Sequence, residues 1–256
     1  MRPTQLLAPA QWGTRAFVEH VMGLPVSIHV RATEPGRADI QAAVANAYAH
    51  LRQVDAVLSP WRADSDLLRV RRAELEVAAA HPWLTEVSVL CAEAEVEMAG
   101  LFTTHLTGPD GTTGFDPTGL AKGWAVKRAA AYLEVVDRIS FCINAGGDLM
   151  VGAGRRLEGL ARPWRIGIQD PRDPMATVDV VEVSGGAVAT SGGAARGGHV
   201  IDPRNGKAVD GGGSVTVIGP DLVWADAWAT AAWVDPDQAQ RLMAVSHPQY
   251  HLRQYP

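Results

Sequence analysis

The sequence predicts an α+β fold in which helices and strands are mixed without a regular β-α-β alternation. Alanine-rich stretches without proline dominate the first half, as in residues 37–58, where apolar residues recur at helical spacing. The second half holds short strand-like runs that are bounded by Gly, Pro, Asp and Ser. A doubly wound parallel sheet needs strands and helices in alternation, so we do not expect one.

Each predicted element follows from its local pattern. Residues 22–30 alternate Val26, Ile28 and Val30 with polar side chains, which is typical of a half-buried strand. Residues 59–68 and 106–119 are rich in turn residues and are predicted to be loops. Further helices are predicted over residues 84–100, 120–136, 222–234 and 237–245, and further strands over residues 139–143, 164–168, 178–183, 187–192 and 215–219.

Composition limits the classes of function. The chain has 256 residues, of which 47% are hydrophobic and 20% charged, and these values favour a globular protein in which residues 1–256 form one large domain or two closely associated lobes. A net charge of −5 argues against nucleic-acid binding, which needs a basic surface. The sequence has neither an apolar run long enough to span a bilayer nor a signal-peptide profile at its N-terminus. We therefore expect a cytoplasmic protein without membrane insertion, and Cys91 and Cys142 as reduced thiols.

Three glycine-rich stretches stand out, namely DPTGLAKG at 116–123, NAGGD at 144–148 and ATSGGAARGGHVIDPRNG at 189–206. Glycine allows the backbone to approach a ligand closely, and successive free N–H groups in such turns bind phosphate. None of the three matches a Walker A loop or a Rossmann fingerprint. For each stretch alone, an ordinary turn at a strand end is the favoured interpretation, and the three together favour a ligand more than any one does.

Two further patterns indicate a charged ligand. Lys122 stands near the start of a predicted helix, where a cation is unfavourable unless an anion lies nearby; a solvated lysine is the alternative. Asp226 and Thr230 are four residues apart on an otherwise apolar helix, so their oxygens project from one face. A buried carboxylate needs a partner, and Mg²⁺ would satisfy it, as would a backbone turn or an arginine.

The segment GGHVIDPRNG places His199 three residues before Asp202 on a short extended piece with turn residues at both ends. It is either a tight polar turn or a site that holds a ligand and moves a proton. The residues by themselves leave both interpretations open.

Six segments together resemble the ApbE family of FAD:protein FMN transferases, in the order found in that family. The resemblance runs from about residue 18 to residue 234. The segments are MGLPVSIHV at 22–30, LSPWRADSDLLRV at 58–70, FDPTGLAKGWAV at 115–126, INAGGDLMVGAG at 143–154, VATSGGAARGGHVIDPRNGKAV at 188–209 and VWADAWATAAWV at 223–234.

The resemblance implies an α+β fold of two related T-fold-like lobes that form one ApbE-like domain with the cofactor cleft between them. It also implies a reaction. Such an enzyme uses Mg²⁺ and FAD, transfers FMN to a threonine or serine hydroxyl of an acceptor flavoprotein, and releases AMP. Two alternatives stay open, a Mg²⁺-dependent FAD pyrophosphatase and an FAD-binding protein without turnover.

The resemblance also implies roles for individual residues. His199 would take the proton of the incoming hydroxyl, and Asp202 would orient His199 or contact the flavin or the metal. Asp226 and Thr230 would hold the metal together with the backbone carbonyl of Ala121. The cofactor would be bound by Met22, Ser59, Trp61, Asp116, Lys122, Gly146, Gly147, Asp148, Thr190 and Ser191.

Two departures from the family pattern are visible. Leu68-Arg69-Val70 stands where a leucine-asparagine pair is usual, so one polar cofactor contact is absent or replaced. Gly193-Ala194-Ala195 replaces the usual aromatic residue after Thr-Ser-Gly.

Overall fold

The computed structural model describes residues 12–107, 111–157, 162–193, 200–209 and 211–256. Helices and strands follow one another irregularly, which confirms the predicted α+β class. The helices are α1 Ala38–Leu58, α2 Asp66–Arg71, α3 Pro82–Glu97, α4 Thr118–Glu134, α5 Leu222–Val234 and α6 Pro236–Ser246, with a short 3-10 helix at Val77–Ala79. The strands are β1 Gly13–Val21, β2 Leu24–Ala32, β3 His105–Thr107, β4 Thr113–Phe115, β5 Ser140–Ala145, β6 Asp148–Ala153, β7 Trp164–Gln169, β8 Thr177–Val183, β9 Gly186–Gly192, β10 Ile201–Asp202, β11 Lys207–Ala208, β12 Ser214–Gly219 and β13 His251–Tyr255.

A seven-stranded sheet organises the fold, in the order β1-β2-β5-β6-β9-β12-β13 with every neighbouring pair antiparallel. Its two halves, β1-β2-β5-β6 and β9-β12-β13, meet where Leu149, Met150 and Val151 of β6 pair with β9. The last residues of β9 pair with β12 but not with β6, because β6 begins at the β5–β6 turn and β9 extends beyond that turn. The halves therefore separate at this end, which leaves an opening between them.

The two faces of the sheet are covered differently. Helices α1, α4 and α5 pack on one face, where Ile28, Ile143 and Ala189 join the large hydrophobic core. The hairpin of β7 and β8 covers part of the other face, where Cys142 and Val188 join a smaller core. Strand neighbours such as Cys142 and Ile143 lie in different cores because successive side chains of a strand point to opposite faces.

Several predicted boundaries are corrected. The strand predicted over residues 22–30 begins only at Leu24, because Met22 and Gly23 have φ angles of +57° and +73° and form the β1–β2 turn. The loop predicted over residues 59–68 ends in α2, which Ser65 caps by accepting a hydrogen bond from Leu68 N–H. The loop predicted over residues 106–119 contains the short pair β3–β4, and α4 begins at Thr118.

Helix α5 matches its predicted range of residues 222–234. Asp221 accepts a hydrogen bond from Val223 N–H at 2.9 Å and caps the N-terminus. Asp235 ends the helix and caps α6 through Gln238 N–H at 3.0 Å. The interior of α5 is almost entirely apolar and buried, so Asp226 is a charged group inside the protein.

The described residues include both cysteines, and their helices can be compared with the length of a membrane span. Cys91 and Cys142 are free and buried, and burial raises the pKa of each thiol to about 12. None of the helices in the described ranges combines the length and the apolar character needed to cross a bilayer.

Candidate active site

Helices α4 and α5 approach each other closely at Gly123. The backbone N–H of Gly123 donates a hydrogen bond to Oδ2 of Asp226 at 3.0 Å. A Cβ atom on residue 123 would lie 2.5 Å from the carbonyl oxygen of Leu222, so only glycine permits this approach. The contact fixes the Asp226 carboxylate at the place where the two helices meet.

Lys122 brings two buried carboxylates together. Its Nζ forms an ion pair with Oδ2 of Asp148 and lies 3.7 Å from Oδ1 of Asp226. The Asp148 and Asp226 side chains are 2% and 6% exposed, whereas that of Lys122 is 25% exposed. One ammonium thus lies beside two buried carboxylates.

A pocket of about 120 Å³, the phosphate pocket, opens beside this cluster between α4, α5 and the end of β9. Asp226 and Thr230 both line it, one helical turn apart, as their spacing predicts. The predicted site residues that line it are Lys122, Gly146, Thr190, Ser191, Asp226 and Thr230.

A second pocket of about 100 Å³, the ring pocket, adjoins the phosphate pocket and shares Thr118 and Lys122 with it. Five predicted residues line the ring pocket, namely Met22, Ser59, Trp61, Ala121 and the shared Lys122. Trp61 is 76% exposed, and an exposed indole beside a pocket offers a stacking surface for a planar ring. The Ser59 hydroxyl accepts hydrogen bonds from the N–H groups of Trp61 and Arg62, both at 3.3 Å, and so orders the loop that carries Trp61.

Short polar groups connect the two halves of the sheet at the phosphate pocket. Thr190 N–H donates to Oδ1 of Asp148 at 3.1 Å and so links the two halves, and within the second half the hydroxyls of Thr190 and Thr216 lie 2.9 Å apart. Gly146 and Gly147 have φ angles of +65° and +100°, which the tight β5–β6 turn requires. Asp148 therefore holds β9 and Lys122 at once, a structural role that the sequence did not indicate.

Asp116 lines neither the phosphate pocket nor the ring pocket, and it does not line a third, larger cavity along β7 that is described below. Its Oδ1 accepts a hydrogen bond from Thr118 N–H at 3.0 Å, and its own N–H donates to the Thr104 carbonyl at 2.6 Å. The structure thus gives Asp116 a part in starting α4. Its expected role at the cofactor or the metal stays a prediction.

Asp202 forms a dense set of local contacts. Arg204 donates to both of its carboxylate oxygens, with Nε 3.0 Å from Oδ1 and Nη2 3.1 Å from Oδ2, and Asn205 Nδ2 donates to Oδ2 at 3.0 Å. These bonds, from Arg204 above all, hold the pKa of Asp202 below its ordinary value. The described contacts support the interpretation as a polar turn. His199 lies outside the described residues, so its pairing with Asp202 stays a prediction.

Comparison with known proteins identifies the family. Residues 103–252 match the ApbE family model. This chain belongs to the ApbE family. FAD:protein FMN transferases from Klebsiella pneumoniae (strain 342) and Escherichia coli (strain K12) are each 32% identical over 139 residues, which make up 50% of this chain and 39% of either relative. The matched region thus spans about two fifths of the length of these curated relatives.

A solved structure shows the same fold over nearly the whole chain. The flavin transferase ApbE from Vibrio cholerae superposes with a TM-score of 0.74 and 22% identity, and the match covers 95% of this chain and 94% of that one. The ApbE-like α+β fold implied by the six sequence segments is therefore confirmed.

The side chains of this ApbE-family chain are compatible with Mg²⁺. Asp226 and Thr230 offer hard oxygen donors on one face of α5, and Mg²⁺ in phosphate sites takes only one or two protein oxygens besides water and phosphate. Among the described residues no cluster of three or more His, Cys, Asp or Glu side chains is placed to hold a metal ion. Ala121 lies in the first turn of α4 and lines the ring pocket. Its carbonyl oxygen accepts a hydrogen bond within the helix, so only its second lone pair would be available to a metal ion.

The sequence interpretation missed two features of the site. Thr118 lines both the ring pocket and the phosphate pocket, and its position at the start of α4 was the available signal. A larger cavity along β7, which shares Gly146 and Thr190 with the phosphate pocket, was also missed, because its walls come from strands that are distant in sequence.

Proposed function

We propose that the chain transfers FMN from FAD to a threonine or serine hydroxyl of an acceptor flavoprotein, with Mg²⁺ as cofactor and AMP as the leaving group. One observation carries the proposal. The Lys122–Asp148–Asp226 cluster and Thr230 stand at a small pocket that adjoins a second pocket with an exposed indole. That is the arrangement a dinucleotide needs, with its pyrophosphate in one pocket and a planar ring in the next.

In this proposal the chain's own groups divide the work. The Trp61 indole stacks on one ring system of FAD, and the loop ordered by Ser59 holds it there. Lys122, kept in place by Asp148, offers its ammonium to the pyrophosphate oxygens. Asp226 and Thr230 hold Mg²⁺, which would neutralise phosphate charge and make the phosphorus more electrophilic.

The transfer step requires one bond to form and one to break. The acceptor oxygen bonds to the phosphorus of the FMN half while the bond from that phosphorus to the bridging oxygen breaks, and AMP leaves with that oxygen. The hydroxyl proton needs a base, and His199 is the residue assigned to it, since an imidazole titrates near neutral pH. Asp202 acts through the turn it stabilises, which begins at Asp202 itself, three residues after His199 in the sequence.

Support for this activity comes from the names of the related proteins, which are FAD:protein FMN transferases, together with the pocket geometry. The acceptor is expected to be a protein, and the reaction is expected in the cytoplasm.

A transfer assay tests the proposal. The full chain is incubated with FAD, Mg²⁺ and synthetic peptides that each carry one threonine, and the products are separated after denaturation. Flavin fluorescence that stays with the peptide, together with AMP in equal amount, is the expected result. AMP and free FMN without labelled peptide would instead identify a pyrophosphatase. Binding of FAD without any AMP would identify a protein without turnover.

A further inference from the structure

A cavity of about 640 Å³, the β7 groove, runs along one edge of the β7–β8 hairpin. All residues of β7, from Trp164 to Gln169, line the groove, whereas no residue of β8 does. The groove therefore follows the side of β7 that faces away from β8. Within the described ranges no strand pairs with β7 on that side.

An open strand edge is a binding surface for an extended chain. It presents unpaired backbone N–H and C=O groups, to which a peptide adds as a further strand. Six residues of strand are about 20 Å long, the length of an extended segment of the same number of residues. The shape and chemistry of the groove thus fit a peptide.

The groove carries positive charge, although the whole chain has a net charge of −5. Arg31 and Arg165 line it, and none of the described lining residues is Asp or Glu. Arg31 is held in place, since its Nη1 donates to the carbonyls of Arg162 and Pro163, both at 3.2 Å, and its guanidinium lies 3.6 Å from the Trp164 ring centre. An acidic segment would complement this surface.

The groove adjoins the phosphate pocket. Gly146, Thr190 and Gly192 line both cavities. These residues lie at the opening between the two halves of the sheet, where β9 runs past the β5–β6 turn. A chain bound along β7 would therefore end beside the phosphates of a bound dinucleotide.

We infer that the β7 groove binds the acceptor protein through an extended acidic segment that pairs with the edge of β7 and presents its threonine or serine hydroxyl at the phosphate pocket. This inference rests on the proposed function and adds the place and the chemistry of acceptor recognition. Arg165 attracts the acidic side chains, and the backbone of β7 fixes the register of the segment.

Fluorescence anisotropy tests the inference directly. The probe is a labelled ten-residue peptide with one threonine flanked by aspartate and glycine, and a second probe has lysine in place of each aspartate. The acidic probe is expected to bind the full chain and the lysine probe to bind far more weakly. In Arg165→Glu the affinity for the acidic probe should fall by about tenfold or more. Hydrogen exchange should show protection of residues 164–169 when the acidic probe binds.

A paired variant separates recognition from folding. Arg165 lies directly opposite Glu182 in the β7–β8 register, so Arg165→Glu alone places two carboxylates side by side. The double variant Arg165→Glu/Glu182→Arg restores an opposite-charge pair but keeps the reversed charge in the groove, and it should bind the acidic probe as weakly as Arg165→Glu does. Arg241→Glu, on the exposed side of α6, changes the net charge equally and should bind like wild type.

Four results would overturn the inference: equal binding of both probes, undiminished binding by Arg165→Glu, recovered binding in the double variant, or a loss of FAD affinity in Arg165→Glu as large as the loss of peptide affinity. The last result would mean that the groove holds part of the dinucleotide. AMP release from FAD by wild type is measured separately. AMP release without peptide binding would overturn the inference about the β7 groove but leave the proposed function in place. Peptide binding without AMP release would support the groove as a peptide site but contradict the proposed function.

Discussion

Gly123 and Asp226 are joined across the α4–α5 contact by a 3.0 Å hydrogen bond from the Gly123 N–H to Oδ2 of the carboxylate. The bond uses one carboxylate oxygen and leaves Oδ1 on the side of Lys122, whose Nζ is 3.7 Å away. The position of the acidic group in the phosphate pocket thus depends on how closely two helices pack.

Gly123→Ala should separate these helices. The new Cβ would lie 2.5 Å from the carbonyl oxygen of Leu222 and 3.1 Å from Cβ of Asp226. Backbone atoms cannot relieve such a clash by a change of rotamer, as the end of a flexible side chain can. Overpacking costs about 1–3 kcal/mol, and the better helix propensity of alanine returns about 1 kcal/mol, so we expect a net loss of about 1 kcal/mol in the free energy of unfolding. Urea denaturation measures it. Gly185→Ala, where a Cβ would meet nothing within 4 Å, is the control and should be nearly neutral.

Trp61→Ala should weaken FAD binding while leaving the fold intact. The indole is 76% exposed at the ring pocket, so its removal should change the free energy of unfolding by less than about 0.5 kcal/mol. Loss of ring stacking should lower FAD affinity by about 1 kcal/mol, or roughly fivefold. Titration calorimetry with FAD checks this value. Met175→Ala removes a side chain that is 92% exposed and lines none of the three pockets, and it should bind FAD like wild type.

His50 should make the stability of the fold depend on pH. It is buried among Trp83, Trp124 and Tyr132, and burial, aided by the charge of Arg128, lowers its pKa to about 4 from an ordinary 6.5. Between these values the unfolded chain binds the proton and the folded chain does not, so stability falls as the pH drops from about 6.5 to about 4.

Thermal unfolding of His50→Phe, which keeps an aromatic ring at this position, checks that prediction. The variant should lose less stability than wild type over the same pH interval. Equal slopes for the two proteins would show that His50 is not the group that titrates.

Local patterns predicted the elements that carry the site. Helix α5 was predicted over its observed range, and the structure shows that an aspartate stands at each end of it. Strands β1 and β13 were not predicted, since both lie at the edges of the sheet, where many side chains face water and the apolar alternation is weak. Strand β6 was also missed, because it follows directly on the glycine turn after β5.

The site itself was only partly accessible from sequence. The spacing of Asp226 and Thr230 on one helix predicted that they share a face, and both line the phosphate pocket. The Lys122–Asp148 ion pair was not predicted, because it joins α4 to the β5–β6 turn. A local sequence pattern does not show which residues from separate elements come into contact. For the same reason the sequence did not reveal the four donor contacts that tie Asp202 to Arg204 and Asn205.

The central claim is that Asp226 holds the cation that activates the pyrophosphate of FAD, and the rate of AMP release against Mg²⁺ concentration tests it most directly. Asp226→Asn keeps the shape of the side chain and an oxygen for the Gly123 N–H but removes the charge. We expect it to slow AMP release by about 100-fold or more, since even residues behind the metal ligands contribute about 10- to 100-fold. Asp237→Asn, in the exposed first turn of α6, should match wild type. Equal rates and equal Mg²⁺ dependence in wild type and Asp226→Asn would contradict the account.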